Sequence, residues 1–264
     1  MIDNKPHRLS TVAPAVDLAS SMDEQPVEST THKTGIKNIV LVHGALVDAS
    51  GWRAVYDILA HQGYRVSLVS QPLTSRAADV DAVRRVLDLQ TGPTILVGHS
   101  YGGALITESG TDPKVKALVY VAALQPDVAE SPFELLQSKP AASEAVKFTA
   151  DGYAYLDPSH FHEDFAADLP EADATYMASS QMFVAIECLQ APISVAAWHE
   201  KPSYAIVATE DRSLNPDLQR FMYQRGKDKV TELVGSHAIY MSQPKAVSAV
   251  ILAAARDAKQ QQIP

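Results

Sequence analysis

The sequence predicts an α/β fold: a doubly wound, mostly parallel six-stranded sheet with helices on both faces and a small helical cap. Three observations predict it. From Lys37 onward, short β-branched runs alternate with amphipathic stretches of helical period. The runs are almost wholly apolar, as strands covered on both faces of a parallel sheet must be. The alternation then stops between Ala122 and about Ala197, where prolines, paired alanines and acidic residues leave no clean strand. That stretch is too long for an ordinary loop and apolar enough to pack, so it reads as a mainly helical insertion over the sheet's C-terminal edge.

The strands are expected at Asn38–Val42, Tyr64–Val69, Thr94–Val97, Ala117–Val121, Tyr204–Ala208 and Val230–Val234. Helical punctuation lies between them. Ser50 is placed to cap a helix whose Trp52, Val55, Ile58 and Leu59 share a face, with Gly63 to end it. Val80, Val83 and Leu87 form the buried stripe of the next helix. Asn215-Pro216 pairs an N-cap with an N1 proline ahead of Leu218, Phe221 and Met222. Ser242 is expected to start a final helix that turns Val247, Val250, Ile251 and Ala254 inward.

Composition narrows the function. The chain has 264 residues, enough for a large core without staples, and its single cysteine, Cys188, excludes an internal disulfide or a multi-cysteine zinc site. With 31 acidic against 22 basic residues the formal charge is −9, which disfavours nucleic-acid partners. No apolar stretch approaches the roughly 20 residues that cross a bilayer, so no membrane span is expected. Residues 1–34 read as a flexible leader ahead of a 35–264 domain whose cap insertion covers about 122–197. The leader lacks the continuous apolar run of a signal peptide, which favours the cytoplasm and leaves export open if it stands in place of one.

The sharpest chemical signal is Gly98-His99-Ser100-Tyr101-Gly102, between a strand and the helical Gly103-Ala104-Leu105-Ile106. A serine on so tight a strand-to-helix turn is pushed outward at the sheet edge, and the glycines remove side chains that would clash. Its hydroxyl needs a base, and the base needs an acid, from loops after later strands. Asp211 follows the fifth strand, with Glu210 beside it as the alternative acid. His237 follows the sixth and is the only histidine after Asp211. For an oxyanion, the backbone N–H groups of Tyr101 and Ala45 are the candidate donors, since Gly44 frees the loop after the first strand. His43 is expected to be a turn residue held by hydrogen bonds.

His43-Gly44-Ala45, the Ser100 turn, Asp211 and Gly235-Ser236-His237 together resemble the α/β-hydrolase superfamily. Within it the chain resembles the compact branch of plant methylesterases, hydroxynitrile lyases and bacterial esterase relatives, from about Lys37 to Ala258. The resemblance implies nucleophile Ser100, base His237, acid Asp211, no cofactor, and a cap near Ala122–Ala197. The plant hydroxynitrile lyases carry threonine where this chain has Gly44, and lysine where it has Ala238. Without that lysine's charge for a leaving cyanide, ester hydrolysis is favoured over cyanohydrin cleavage.

The expected activity is a serine hydrolase cleaving small to medium carboxylic esters or lactones, with a small-molecule substrate as partner. The alternatives are a lyase or cofactor-free oxidative enzyme on the same fold, and a ligand-binding or sensor protein. Among the remaining motifs, His160, His162 and Glu163 lack the spacing of a metal site, so no metal is expected. Phe161 and His162 are candidates to line the substrate mouth. Trp198-His199 reads as packing, Met177, Met182 and Phe183 as cap core or pocket lining, and Cys188 as a small buried apolar residue.

Overall fold

The computed structural model describes residues 35–260, so the expected leader at residues 1–34 lies outside the described residues. In chain order the strands are β1 (Asn38–Val42), β2 (Arg65–Val69), β3 (Thr94–His99), β4 (Val115–Val121), β5 (Val146–Phe148), β6 (Tyr153–Leu156), β7 (Val184–Ala185), β8 (Ser203–Ala208) and β9 (Lys229–Leu233). The helices are α1 (Arg53–His61), α2 (Arg76–Asp88), α3 (Gly102–Ser109), α4 (Pro132–Ser138), α5 (Phe161–Phe165), α6 (Glu171–Ser180), α7 (Ile186–Gln190), α8 (Pro216–Gly226), α9 (Ile239–Ser242) and α10 (Pro244–Gln260).

Six strands pair in parallel in the order β2-β1-β3-β4-β8-β9. Every residue of β1, β3 and β8 is buried, which is why those runs lack alternation. Trp52, Val55 and Leu59 pack with Val247, Ile251 and Ala254 against one face of the sheet. Val80, Val83, Leu87, Leu105, Leu218 and Met222 belong to the core on the other. The strand order reverses at β1, so the loops after β1 and β3 flank a crevice at the C-terminal edge, where open α/β sheets gather their ligands.

Two helix starts differ from expectation. Asp48, rather than Ser50, caps the turn before α1, accepting from the Ser50 N–H at 2.7 Å. The last long helix begins at Pro244, and Ser242 ends the preceding short turn. The larger difference lies in the insertion between β4 and β8. Its helices α4 to α7 are joined by a three-stranded antiparallel sheet, β5-β6-β7. Strands of three, four and two residues are too short for a period of two to register in sequence. The insertion docks on the core through backbone as well as side chains, with the Ala185 N–H donating to the Leu73 carbonyl.

Candidate active site

Ser100 stands between β3 and α3 at φ 53°, a left-handed conformation that turns the chain abruptly from strand to helix. The turn is possible because a Cβ on Gly98 would fall 2.5 Å from the Gly102 carbonyl oxygen, and one on Gly102 would fall 2.6 Å from that of His43. Its carbonyl accepts from the N–H groups of Gly103 and Leu124, which anchors the strained residue to α3 and to the chain leaving β4.

The structure brings the three sequence-predicted side chains into one line. His237 Nε2 lies 2.8 Å from Ser100 Oγ, and His237 Nδ1 lies 2.7 Å from Asp211 Oδ2. Asp211 is buried, and its Oδ1 accepts from the backbone N–H groups of Ser213 and Leu214. Oδ2 accepts in addition from the Gln219 side chain, at 2.9 Å, so the carboxylate keeps one orientation. Glu210 is exposed.

His99, next to Ser100, is fully buried, and desolvation holds its imidazole well below the usual histidine range. It is therefore neutral, and its Nε2–H donates to the His237 carbonyl at 2.9 Å. The ring also packs against those of His237 and Tyr240, with centroids 4.7 and 4.4 Å away. His43, likewise neutral through burial, donates from Nδ1 to the Gly44 carbonyl at 2.8 Å. That carbonyl shares a trans peptide with the Ala45 N–H, so the bond turns the Ala45 amide to the opposite side. The same loop approaches so closely that a Cβ on Gly44 would fall 2.6 Å from Ser100 Cβ. Tyr101 uses its side chain elsewhere: its hydroxyl donates to buried Asp79 at 2.9 Å, near Cys188 Sγ.

Above Ser100 is a cavity of about 130 Å³, reached by Ala45, Tyr101 and His237 from the core and by Leu136, Ala154, Val184 and Leu189 from the insertion. Its polar lining residues are serines, Tyr101 and His237, and no charged side chain among the described residues lines it. Phe165 lines it and meets the His237 ring edge-on at 4.8 Å. The two residues expected at the mouth lie elsewhere. Phe161 is fully buried one layer back, stacked on Phe165 at 4.9 Å, and His162 Nε2 hydrogen-bonds the Leu169 carbonyl at 3.0 Å. In α5, Phe161 and Phe165 are one turn apart, and the later one reaches the cavity. His160 contacts Ser159, and Glu163 pairs with Arg212, so these residues do not converge with His162 on one point.

Sequence reasoning missed the two aspartates with which the insertion holds the site's loops. Buried Asp164 accepts from Arg212 at 2.8 Å and Ser143 at 2.7 Å, and its carbonyl accepts from Ser213. Asp168 accepts from Ser242 at 2.7 Å and from both the N–H and the hydroxyl of Ser236.

The model of the alpha/beta hydrolase family matches residues 39–250. The chain belongs to that family. An alpha/beta hydrolase of Aspergillus novofumigatus, nvfD, is 25% identical over 243 residues, covering 83% of this chain and 97% of its own. A pyrethroid hydrolase of Sphingobium wenxiniae is 26% identical over 248 residues, covering 82% and 86% respectively. The crystal structure of tomato methylketone synthase I complexed with 2-tridecanone superposes with a TM-score of 0.74 at 19% identity, over 85% of this chain and 99% of that one. At that identity the likeness speaks to the alpha/beta hydrolase fold alone. No helix among the described residues is long and apolar enough to cross a membrane.

Proposed function

We propose that this alpha/beta hydrolase cleaves carboxylic esters through an acyl-enzyme on Ser100. The observation that carries the reading is the unbroken line Ser100–His237–Asp211, with contacts of 2.8 and 2.7 Å. With Nδ1–H donated to Asp211, the lone pair of Nε2 is free to take the Ser100 proton as Oγ adds to the ester carbonyl. The tetrahedral oxyanion is received by the N–H groups of Ala45 and Tyr101, both of which belong to residues bordering the cavity beside Ser100. On collapse the bond between carbonyl carbon and alcohol oxygen breaks, and His237 Nε2 returns its proton to the leaving oxygen. Water then attacks the acyl carbon by the same route, giving the acid and free Ser100.

The apolar, uncharged cavity supports neutral acyl groups and disfavours a charged one, which would lose its hydration without a partner. The same lining speaks against cyanohydrin cleavage. Ala238 is buried and carries no charge, so the residue after His237 supplies no cation for a departing anion.

The test is a panel of aryl esters, methyl esters and lactones assayed with wild type and Ser100→Ala, together with fluorophosphonate labelling. Turnover should fall by about 10³-fold or more and labelling should vanish, with the circular dichroism unchanged. Retained hydrolysis in pure Ser100→Ala protein overturns the proposal, as does a wild type that neither labels nor turns over any ester.

A further inference from the structure

Tyr101 follows Ser100 and supplies one of the two N–H groups assigned above to the oxyanion, and its side chain is buried. The ring's hydroxyl donates to Asp79 Oδ2 at 2.9 Å. Asp79 stands on the first turn of α2, is fully buried, and forms no ion pair among the described residues. Arg76, three residues earlier, pairs with Glu108 instead. A carboxylate buried without a cation is costly unless donors surround it. Here the Leu73 N–H donates to Oδ1 at 2.8 Å, and the Cys188 thiol donates to Oδ2 at 3.5 Å. Leu73 lies in the loop after β2 at φ 57°, and its carbonyl accepts from the Ala185 N–H of β7. Cys188 lies in α7 of the insertion.

We propose that Asp79 is a positioning residue for the ester reaction: through the Tyr101 hydroxyl it fixes the direction of the Tyr101 amide, and through Leu73 it ties that setting to the seating of the insertion. The inference rests on the ester-hydrolase reading above. A donor stabilises a developing oxyanion only when it is aimed beforehand. Tyr101 has one anchor in its backbone, where its carbonyl accepts from the Ala104 N–H as α3 begins. The bond to Asp79 is a second anchor at the far end of the ring, so the residue cannot turn about the helix start. The carboxylate that holds this ring also holds Leu73, on which β7 hangs. One buried group thus sets both an oxyanion donor and a piece of the cavity wall. Packing alone would be served by an apolar side chain at this place, without the cost of a buried charge.

The experiment measures kcat/KM for phenyl butyrate and the inhibition constant of the trifluoromethyl ketone with the same propyl arm. Ser100 Oγ adds to the ketone carbonyl while His237 takes the proton, leaving a lasting tetrahedral oxyanion. In Tyr101→Phe and in Asp79→Leu both constants should worsen together, by about tenfold to a hundredfold. The matching trifluoromethyl alcohol, which forms no oxyanion, should bind within about twofold of wild type. A fraction of misfolded chains would lower turnover and leave the inhibition constant alone, so the parallel loss marks positioning. Thr107→Val removes a buried hydroxyl that meets Tyr120 at 3.0 Å elsewhere on α3, and should leave both constants within about twofold. The double variant Asp79→Leu/Tyr101→Phe removes carboxylate and hydroxyl together. It should melt higher than Asp79→Leu, while its kcat/KM stays as low as that of the worse single variant. An unchanged inhibition constant in Tyr101→Phe overturns the proposal. So does activity that returns with stability in the double variant, or an equal weakening in Thr107→Val. Should wild type hydrolyse no ester, the ester reading fails by itself. The link from Asp79 to the insertion is then judged by amide hydrogen exchange at Ala185. Exchange about tenfold faster in Asp79→Leu supports the link, and an unchanged rate overturns it.

Discussion

The loops that end β3, β8 and β9 and the insertion between β4 and β8 both reach the cavity, yet they are held in different ways. The strand-end loops are fixed locally. Ser100 is braced by Gly103 and Leu124, and Asp211 by Ser213, Leu214 and Gln219, all close in sequence or on the chain leaving the adjoining strand. The insertion is held across long spans, with Asp164 reaching Arg212 and Asp168 reaching Ser236 and Ser242. The sheet therefore decides which groups meet. The insertion clamps the loops that carry Asp211 and His237 and supplies much of the wall. On this division, changes at the strand ends should remove chemistry, whereas changes in the insertion should alter stability, alignment and choice of substrate.

The largest expected effect tests the first half of that division. Asp211→Asn should lower kcat by about 10³–10⁴-fold, because asparagine no longer holds the imidazole in its productive tautomer. Glu210→Gln should change it by less than about threefold, since the Glu210 side chain is exposed and outside the hydrogen-bonded line. Steady-state assays of both variants on one ester decide the matter. If Glu210→Gln is the crippled enzyme, the acid has been misplaced by one residue.

Next in size is a pair one helical turn apart. Phe161→Ala removes a fully buried ring that stacks on Phe165, and should cost about 3–5 kcal/mol of stability. Below its lowered melting temperature, kcat/KM should stay within a few-fold of wild type. Phe165→Ala deletes a ring that touches His237 and lines the cavity, so both stability and ester selectivity should change. Thermal denaturation alongside kcat/KM separates the two, and equal catalytic losses would erase the distinction between backing layer and wall.

The same contrast explains what could be read from the sequence. Of the six main strands, β1, β3, β4 and β8 were legible as apolar runs buried on both faces almost throughout, and the part-exposed edge strands β2 and β9 from their place in the alternation of strand and helix. The Ser100 turn was legible because its two glycines flank the serine within one short motif, and they stand where a Cβ would fall 2.5 Å from the Gly102 carbonyl oxygen and 2.6 Å from that of His43. Asp211 and His237 followed from chain order, each landing just beyond a strand. The insertion was less legible. Its strands are shorter than one recognisable alternation, and Asp164 and Asp168 look like any acidic residues until tertiary contacts bring Arg212, Ser236 and Ser242 to them. Phe161 and His162 were the visible aromatic candidates, but the turn of α5 delivers Phe165 to the cavity instead. The role of His43 in aiming the Ala45 amide depends on one hydrogen bond that no spacing reveals.

A smaller loss is expected from releasing the clamp. Asp164→Ala frees Arg212, Ser143 and the loop that carries Asp211, and should lower kcat by about tenfold with KM changed little. The double variant Asp164→Ala/Arg212→Ala should lose little more than the first, since both changes break the same contact. Additive losses would show that the two residues act separately.

The smallest effect lies away from the site and shows only as a dependence on pH. Asp228, ahead of β9, is partly buried, and desolvation pushes its carboxyl up to about 7 from the ordinary value near 3.8. Its Oδ2 accepts from Gln125 at 2.9 Å, while its Oδ1 and the Gln125 Oε1 have no partner among the described residues, and both oxygens lie beside Gly226. Below about pH 4 the group is protonated in folded and unfolded chains alike and favours neither. Between about 4 and 7 the unfolded chain releases the proton while the folded chain still holds it, so stability falls as pH rises. Above 7 the folded chain carries the unwelcome charge, and the loss is complete. Asp228→Asn removes the charge and offers an amide donor beside the unpaired oxygen of Gln125. The variant should match wild type near pH 4 and exceed it at pH 8 by on the order of 1–3 kcal/mol. Urea denaturation at both pH values measures this, and activity at pH 8 should be unchanged because Asp228 touches none of the reacting groups. A stability difference between variant and wild type that stays constant with pH would place the ordinary carboxyl pKa in the folded chain and remove this account of the orphaned oxygens.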